Sequence, residues 1–522
     1  MDSTLRRRRL LQALSGGVAA SVAGCTGQAD SGALEMTVPR SITNISPIQT
    51  PSKYANFVPI RMLYSQLSRI TYDMEREDDL ATGWEEQNDD LTRWVVTIRD
   101  DATFHYSGES VTAEDVVHTY RTIVEGGYPG TGNLGGIVDI NRIDEFTVEF
   151  ELDRSNPDFP RYQALAWASI VPKEILEGDL KSLQTEAYGS GPFVLDSFPG
   201  NDEITLRRNP EFYLTDEDGN ALPYADELVL SHVPDAGTEV TRLQNREIDV
   251  IHRTDTAQFA RLESISHVEP QRVTAGNFVA FVMNTDHEPW DDVRVRQAMK
   301  HAVNREEFVE SVLQGYGTIG QDSVLAPLFP FYAELPDRSQ DLERARELLA
   351  EAGYPDGFHL TEDFGITFYT PTEPPEQLNA ALLFQEQFGE IGVEMELEQV
   401  SYDIFETEIW GEKPTYSVHY GTYLNEDHLL SNLIWSEGSW WDENRWENEE
   451  KDELIERARR TTDEDERSEL YERVQELMYE AGPYVIPFHM ENLGANAARI
   501  EGWERHPMLG HDHLERVRST DR

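Results

Sequence analysis

A chain that carries 98 aspartates and glutamates against 44 lysines and arginines repels itself. It becomes compact only where its apolar residues gather into continuous faces. Such faces are present. Trp94, Val96 and Ile98 alternate with Arg93, Val95, Thr97 and Arg99, the pattern of a half-buried strand. Phe146, Val148, Phe150 and Leu152 repeat it, and Val393, Met395 and Leu397 interleave with Glu394, Glu396 and Glu398. Helical faces are equally clear. Thr112, with Asp115 three residues on, forms a capping-box pattern ahead of Val116, Val117, Tyr120, Ile123 and Val124. Asn304 and Glu307 open another helix that Gly315 can end, and Leu342, Ala345, Leu348, Leu349 and Ala352 mark a face that stops at Gly353. Leu470, Val474, Leu477, Met478 and Ala481 mark a last long helix before Gly482 and Pro483. Strands and helices mix along the whole length, which gives an α/β or α+β class with more than one lobe. These faces and ten tryptophans argue against an acidic disordered chain. Breaks rich in proline and glycine at 189–192, 371–375 and 482–487 are candidate crossings between lobes.

The net charge of −54 has two further consequences. Nucleic acid is disfavoured as a partner, because binding phosphates needs clustered positive charge. Concentrated salt shortens the Debye length to about 3 Å at 1 M, which removes most of the self-repulsion. The acidity therefore reads as adaptation to a hypersaline, halophilic setting.

The first 24 residues stand apart from the fold. Arg6-Arg7-Arg8-Arg9 precede a small-residue apolar stretch that ends in Val22-Ala23-Gly24-Cys25, and Cys25 is the sole cysteine. This order is that of a secretory signal peptide (1–24), with paired arginines that fit the twin-arginine export class. Small residues ending at a cysteine resemble a lipobox. The expectation is a lipid on Cys25, a short tether over 25–32, and a protein held at the extracytoplasmic face of the cell membrane. No later apolar run is long enough to cross a bilayer.

Several blocks, in order, resemble the large extracytoplasmic solute-binding proteins of ABC importers, in particular family 5, the oligopeptide, dipeptide and nickel group. Residues 94–123 (WVVTIRDDATFHYSGESVTAEDVVHTYRTI) are similar to that family's signature of strand, Phe-His turn, glycine and helix start. Gly189-Ser190-Gly191-Pro192-Phe193, then residues 206–213 (LRRNPEFY), are similar to its GTGPY and RNPxY blocks. Residues 218–226 resemble a common insert. Asn284 followed by 289–298 (PWDDVRVRQA) matches another segment, and 345–358 (ARELLAEAGYPDGF) fits as well. The resemblance spans roughly 34 to 503.

The resemblance implies a two-lobed α/β clamp, type II-like among periplasmic binding proteins, with an extra domain. Lobe I would comprise 33–66, 186–275 and 483–522, the additional domain 67–185, and lobe II 276–482. A solute would bind between the lobes, where interdomain clefts favour small ligands. Hinge closure would follow, as is general for periplasmic binding proteins. The closed form would present its cargo to ABC permease subunits, and no bond would be made or broken. A monomer with neither cofactor nor metal is expected.

Relatives that bind peptides place an aspartate in lobe II against the ligand's amino group. Here the corresponding stretch is Tyr420-Gly421-Thr422-Tyr423-Leu424-Asn425-Glu426-Asp427, with Thr422 or Tyr423 in that place. A hydroxyl does not neutralise a buried ammonium, and an unpaired buried charge costs several kcal/mol. Glu426 or Asp427 could compensate from one turn away. Aromatic residues crowd the region: Trp410, Tyr416, Tyr420, Tyr423, Trp435, Trp440 and Trp441. They suit apolar side chains and sugar rings alike, so peptide and oligosaccharide both remain open as cargo. Candidate ligand contacts are Tyr420, Thr422, Tyr423, Asn284 and Trp410. A surface sensor on the same fold is the other class of reading, and a hydrolase is disfavoured because no GxSxG, HExxH, P-loop or CxxC is present. His506, His511 and His513 read as a solvated terminal segment. Asp216, Asp218 and Gly219 lack the glutamate a calcium loop needs, since Ala225 stands there.

Overall fold

The strand Val268–Val282, fifteen residues long, carries the architecture from one half of the protein to the other. In the computed structural model, which describes residues 32–50, 54–200, 203–436 and 443–520, it lies in a ten-stranded sheet. From one edge the order is Ser417–Tyr420, Val268–Val282, Phe488–Ala497, Val250–Ile251, Ala33–Val38, Glu227–His232, Glu203–Arg208 and Phe193–Gly200. Gly317–Ile319 pairs with Phe488–Ala497, and Tyr484–Val485 with Val268–Val282. Ala33–Val38 runs parallel to both its neighbours, and the remaining pairs are antiparallel.

Side chains on the long strand explain why it can sit inside the fold. Val279, Phe281 and, just past the strand's end, Met283 belong to one apolar core, while the alternate residues Phe278, Ala280 and Val282 belong to another. A strand buried on both faces reads as an unbroken apolar run. The first of these cores is completed by helices Val293–Ala302, Leu342–Ala352 and Pro375–Gly389, with the Phe281 ring 4.9 Å from Phe368 and 5.0 Å from Phe388. The second is completed by Leu470, Tyr471, Val474, Leu477 and Met478 of helix Glu464–Ala481. A third and larger core holds Leu34 through Val268 and then Ala495 through Val517. It includes the four-stranded antiparallel sheet Ala81–Glu86, Arg93–Ile98, Thr147–Leu152 and Ile137–Arg142, with helix Ala113–Gly126. The segment 67–185 thus shares its apolar core with the strands around Ala33–Val38.

The chain passes between these core groups within Val268–Val282 and again within Phe488–Ala497, whose Phe488 and Met490 lie in one core and Ala495 and Ala497 in the other. The break at 482–487 leads directly into the second passage. Those at 189–192 and 371–375 do not cross. Gly189 and Gly191 press against the backbone of Leu63, where a Cβ on Gly189 would lie 2.1 Å from the Leu63 carbonyl oxygen. Pro371 ends a strand inside the second half, and Pro375 opens a helix there.

Two other expectations are corrected. Residues 393–398 form two short strands, Val393–Glu394 and Leu397–Val400, each parallel to a different partner. Those partners, Phe358–His359 and Phe368–Pro371, are separated by the short helix Leu360–Phe364, so the facing segment breaks at Met395 to meet both. The three C-terminal histidines are buried rather than solvated, at 0%, 8% and 5% exposure for His506, His511 and His513. His506 bonds to the Thr71 carbonyl at 2.9 Å and His513 to that of Ile70 at 3.0 Å. Cys25 and the signal segment lie outside the described residues, as do Trp440 and Trp441. Among the described residues no helix is long and apolar enough to cross a membrane, and no cluster of three His, Cys, Asp or Glu is arranged to hold a metal.

Candidate functional site

Where the two passages run, the long strand is interrupted. Its pairing with Phe488–Ala497 shifts register between Thr274 and Asn277, a bulge that leaves the Gly276 N–H without a ladder partner. Thr422 supplies one. Its Oγ1 accepts from Gly276 N at 2.8 Å and donates to Asn277 Oδ1 at 3.0 Å, while Asn277 Nδ2 donates to Asn492 on the other passage at 2.6 Å. Thr422, one of the two residues proposed for the expected aspartate's place, is therefore committed to the junction of the halves.

Beside this junction lies a cavity of about 460 Å³. One wall comes from the larger core's side: Phe57, Arg61, Asn133, Leu165, Ala166, Trp167, Met508 and His511. The facing wall carries Tyr402, Phe405, Glu406, Trp410, His419, Tyr420, Thr422, Tyr423 and His428. Tyr420, Thr422, Tyr423 and Trp410 are thus brought together on one surface. Asn284 is not on it. Its Oδ1 accepts from Asp286 N at 3.0 Å and its Nδ2 donates to the Glu443 carbonyl at 3.2 Å, so it shapes a turn behind the wall.

Trp410 and Tyr420 are held by a group that sequence reading did not single out. Glu443 is 1% exposed and accepts from Trp410 Nε1 at 2.9 Å, Tyr416 OH at 2.6 Å and Tyr484 OH at 2.6 Å. Trp410 Nε1 also reaches Tyr420 OH at 3.2 Å. Burial pushes the Glu443 carboxyl up despite these donors, and it pushes the Tyr420 and Tyr423 phenols well above their ordinary range. These rings are neutral packing surfaces.

Glu426 and Asp427 are occupied elsewhere. Glu426 accepts from Phe331 N at 2.9 Å. Asp427 binds Arg459 at 2.7 Å and accepts from Tyr162 OH at 2.8 Å, which ties one wall to the other. His428 Nε2 donates across the same seam to Asn133 Oδ1 at 2.9 Å, and Arg467 pairs with Asp158 at 2.6 Å. Leu165, Trp167 and Met508 meet Leu424 in a small apolar cluster that closes the seam. The walls are therefore in contact along this seam, beside the cavity.

Arg61 is 8% exposed, and burial lowers its guanidinium to about 9. His419 and His428 are held down to about 3 and about 4 by burial, so both are neutral near pH 7. Glu406 is the one carboxylate among the described lining residues.

Residues 75–443 match the family described as bacterial extracellular solute-binding proteins, family 5, middle region. Heme-binding protein A of Haemophilus influenzae is 26% identical over 463 residues, covering 84% of this chain and 83% of that protein. The dipeptide-binding protein of Escherichia coli is 26% identical over 476 residues, covering 84% and 85%. The oligopeptide-binding protein AppA of Bacillus subtilis, solved in complex with a nonapeptide, superposes with a TM-score of 0.80 at 23% identity, covering 94% of this chain and all of that one.

Proposed function

The chain belongs to the family 5 extracellular solute-binding proteins, and from that premise we propose that it is the substrate-binding component of an ABC importer for di- or oligopeptide-like solutes. It captures the solute between its halves, closes, and delivers it unaltered to the membrane permease. The observation that carries this reading is the cavity lying between walls from two core groups that two strands connect. Its volume lies within the range of about 300–1,000 Å³ usual for small-ligand sites. The aromatic wall around Trp410, Tyr420 and Tyr423 gives apolar side chains a surface of rigid rings. Peptide is preferred as cargo because relatives of matching length are named for dipeptide and oligopeptide binding.

The finer parts of the reading belong here too: lobes bounded as the resemblance implies, a lipid on Cys25, export by the twin-arginine route, and a hypersaline setting for the −54 charge. Cys25→Ser is expected to release the protein from membranes into the medium. Retention with normal export would remove the lipid anchor.

The test of function is a thermal-shift screen at high salt with peptides of two to nine residues, oligosaccharides and metal chelates. Binding to the native state raises the melting temperature by mass action. A rise with peptides alone supports the reading, and a rise confined to sugars or chelates overturns the peptide assignment.

A further inference from the structure

Resting on the importer reading, we infer that Arg61 is the anion-recognition residue of the cavity, and that the cargo presents a carboxylate to it. Arg61 belongs to helix Tyr54–Leu63 and lines the cavity from the wall opposite Tyr420 and Tyr423. Its guanidinium has no carboxylate within ion-pair distance among the described residues, although three buried carboxylates lie around a small space of about 30 Å³ beside it. Each of those is engaged. Glu515 is paired with Arg69. Asp512 is paired with His252 at 2.7 Å and Arg505 at 3.3 Å. Asp79 accepts from Tyr213 OH at 2.5 Å and Gln66 N at 3.1 Å, and burial raises its titration.

What Arg61 does touch is neutral. It donates to the Ala164 carbonyl at 2.6 Å, to Gln66 Oε1 at 3.4 Å and to His511 Nε2 at 2.7 Å. A guanidinium only donates, so His511 Nε2 accepts and its proton sits on Nδ1. That Nδ1 and Arg61 Nε are both buried without a partner among the described residues. A buried cation that feels Asp79 and Asp512 only at a distance, has Arg69 nearby, and bonds directly to neutral groups with orphaned donors beside it keeps room for a direct negative partner. Arg296 and Lys300 are likewise buried on carbonyl oxygens alone, but Arg61 is the buried cation of this kind that lines the cavity among the described residues. A carboxylate satisfies it best, because bonds from a guanidinium to an ionised acceptor are about twice as strong as neutral ones.

The experiment compares free-acid peptides of two to five residues with the same sequences as C-terminal amides, by calorimetry at high salt, on wild type, Arg61→Lys and Arg61→Met. Phenylacetate and 4-phenylbutyrate are run against their amides as a second series. The expected result is that wild type binds acids about 10- to 100-fold more tightly than amides. Arg61→Lys should keep the preference in reduced form, and Arg61→Met should bind both forms equally weakly. If Arg61→Met fails to fold, the wild-type comparison of acid with amide decides. Acid preference in the aryl series with no peptide binding would uphold Arg61 while removing the peptide assignment. Equal affinity for acids and amides in wild type, an acid preference that survives in Arg61→Met, or no binding in either series overturns the inference.

Discussion

Tyr423 and Glu239 show how differently single residues stand in this molecule. Tyr423 packs its ring 5.0 Å from His428 on the cavity wall, so Tyr423→Ala is expected to weaken peptide binding about tenfold or more. An unaltered affinity, measured by calorimetry, would remove that ring from the site. Glu239 lies far from the cavity in helix Ala236–Gln244, 5% exposed. Burial, aided by the charge of Asp255, raises its carboxyl from 4.5 to about 7. The folded state therefore holds a proton that the unfolded chain releases near pH 4.5, and stability is lost as pH rises from there to about 7. Glu239→Gln should be neutral at pH 4 and stabilising by about 1–3 kcal/mol at pH 8. A difference that does not change with pH would contradict this. Sequence reading grouped Tyr420, Thr422, Tyr423 and Trp410, which line one cavity wall, because they fall in or near one stretch. It missed Arg61 because that residue's partners Ala164 and His511 are 103 and 450 positions away. It misplaced Asn284 because an asparagine that closes a turn looks, in one dimension, like one that binds.

Among the elements, the half-buried strands and amphipathic helices were legible because each carries its own periodicity. Arg93–Ile98 and Thr147–Leu152 bury the residues their alternation marks, and helix Ala113–Gly126 starts with the capping box of Thr112 and Asp115. The division of 393–398 was not legible, since it follows from where two partner strands sit and not from the segment itself. Nor was the bulge at Gly276, whose stability depends on a hydroxyl 146 positions away. Thr422→Val keeps the shape of that side chain but leaves the Gly276 N–H and Asn277 Oδ1 without it. A loss of about 1–3 kcal/mol is expected, with Thr422→Ser largely restoring it. Denaturant melts of the two variants check this, and equal stability of Thr422→Val and wild type would deny the threonine its place at the junction. Across the seam, Asp158→Asn should weaken the pair with Arg467 and lower cargo affinity several-fold without touching the cavity. Unchanged affinity would mean that this contact does not favour the closed form.

For the whole molecule, charge and topology act together. The fold must hold −54 charges on one chain, and screening by salt offsets their repulsion. Thermal melts are expected to fall steadily as salt is lowered from molar to low millimolar, and a melting temperature indifferent to salt would remove the halophilic explanation of the acidity. The walls of the cavity come from core groups joined by two strands, an arrangement suited to hinged opening. Hydrogen exchange with and without a bound peptide tests that arrangement most directly. Solute held between closing halves should protect residues 57–64 and 165–167 on one wall together with 418–428 on the other. Protection confined to one wall, with the other exchanging as in the empty protein, would contradict capture between the halves.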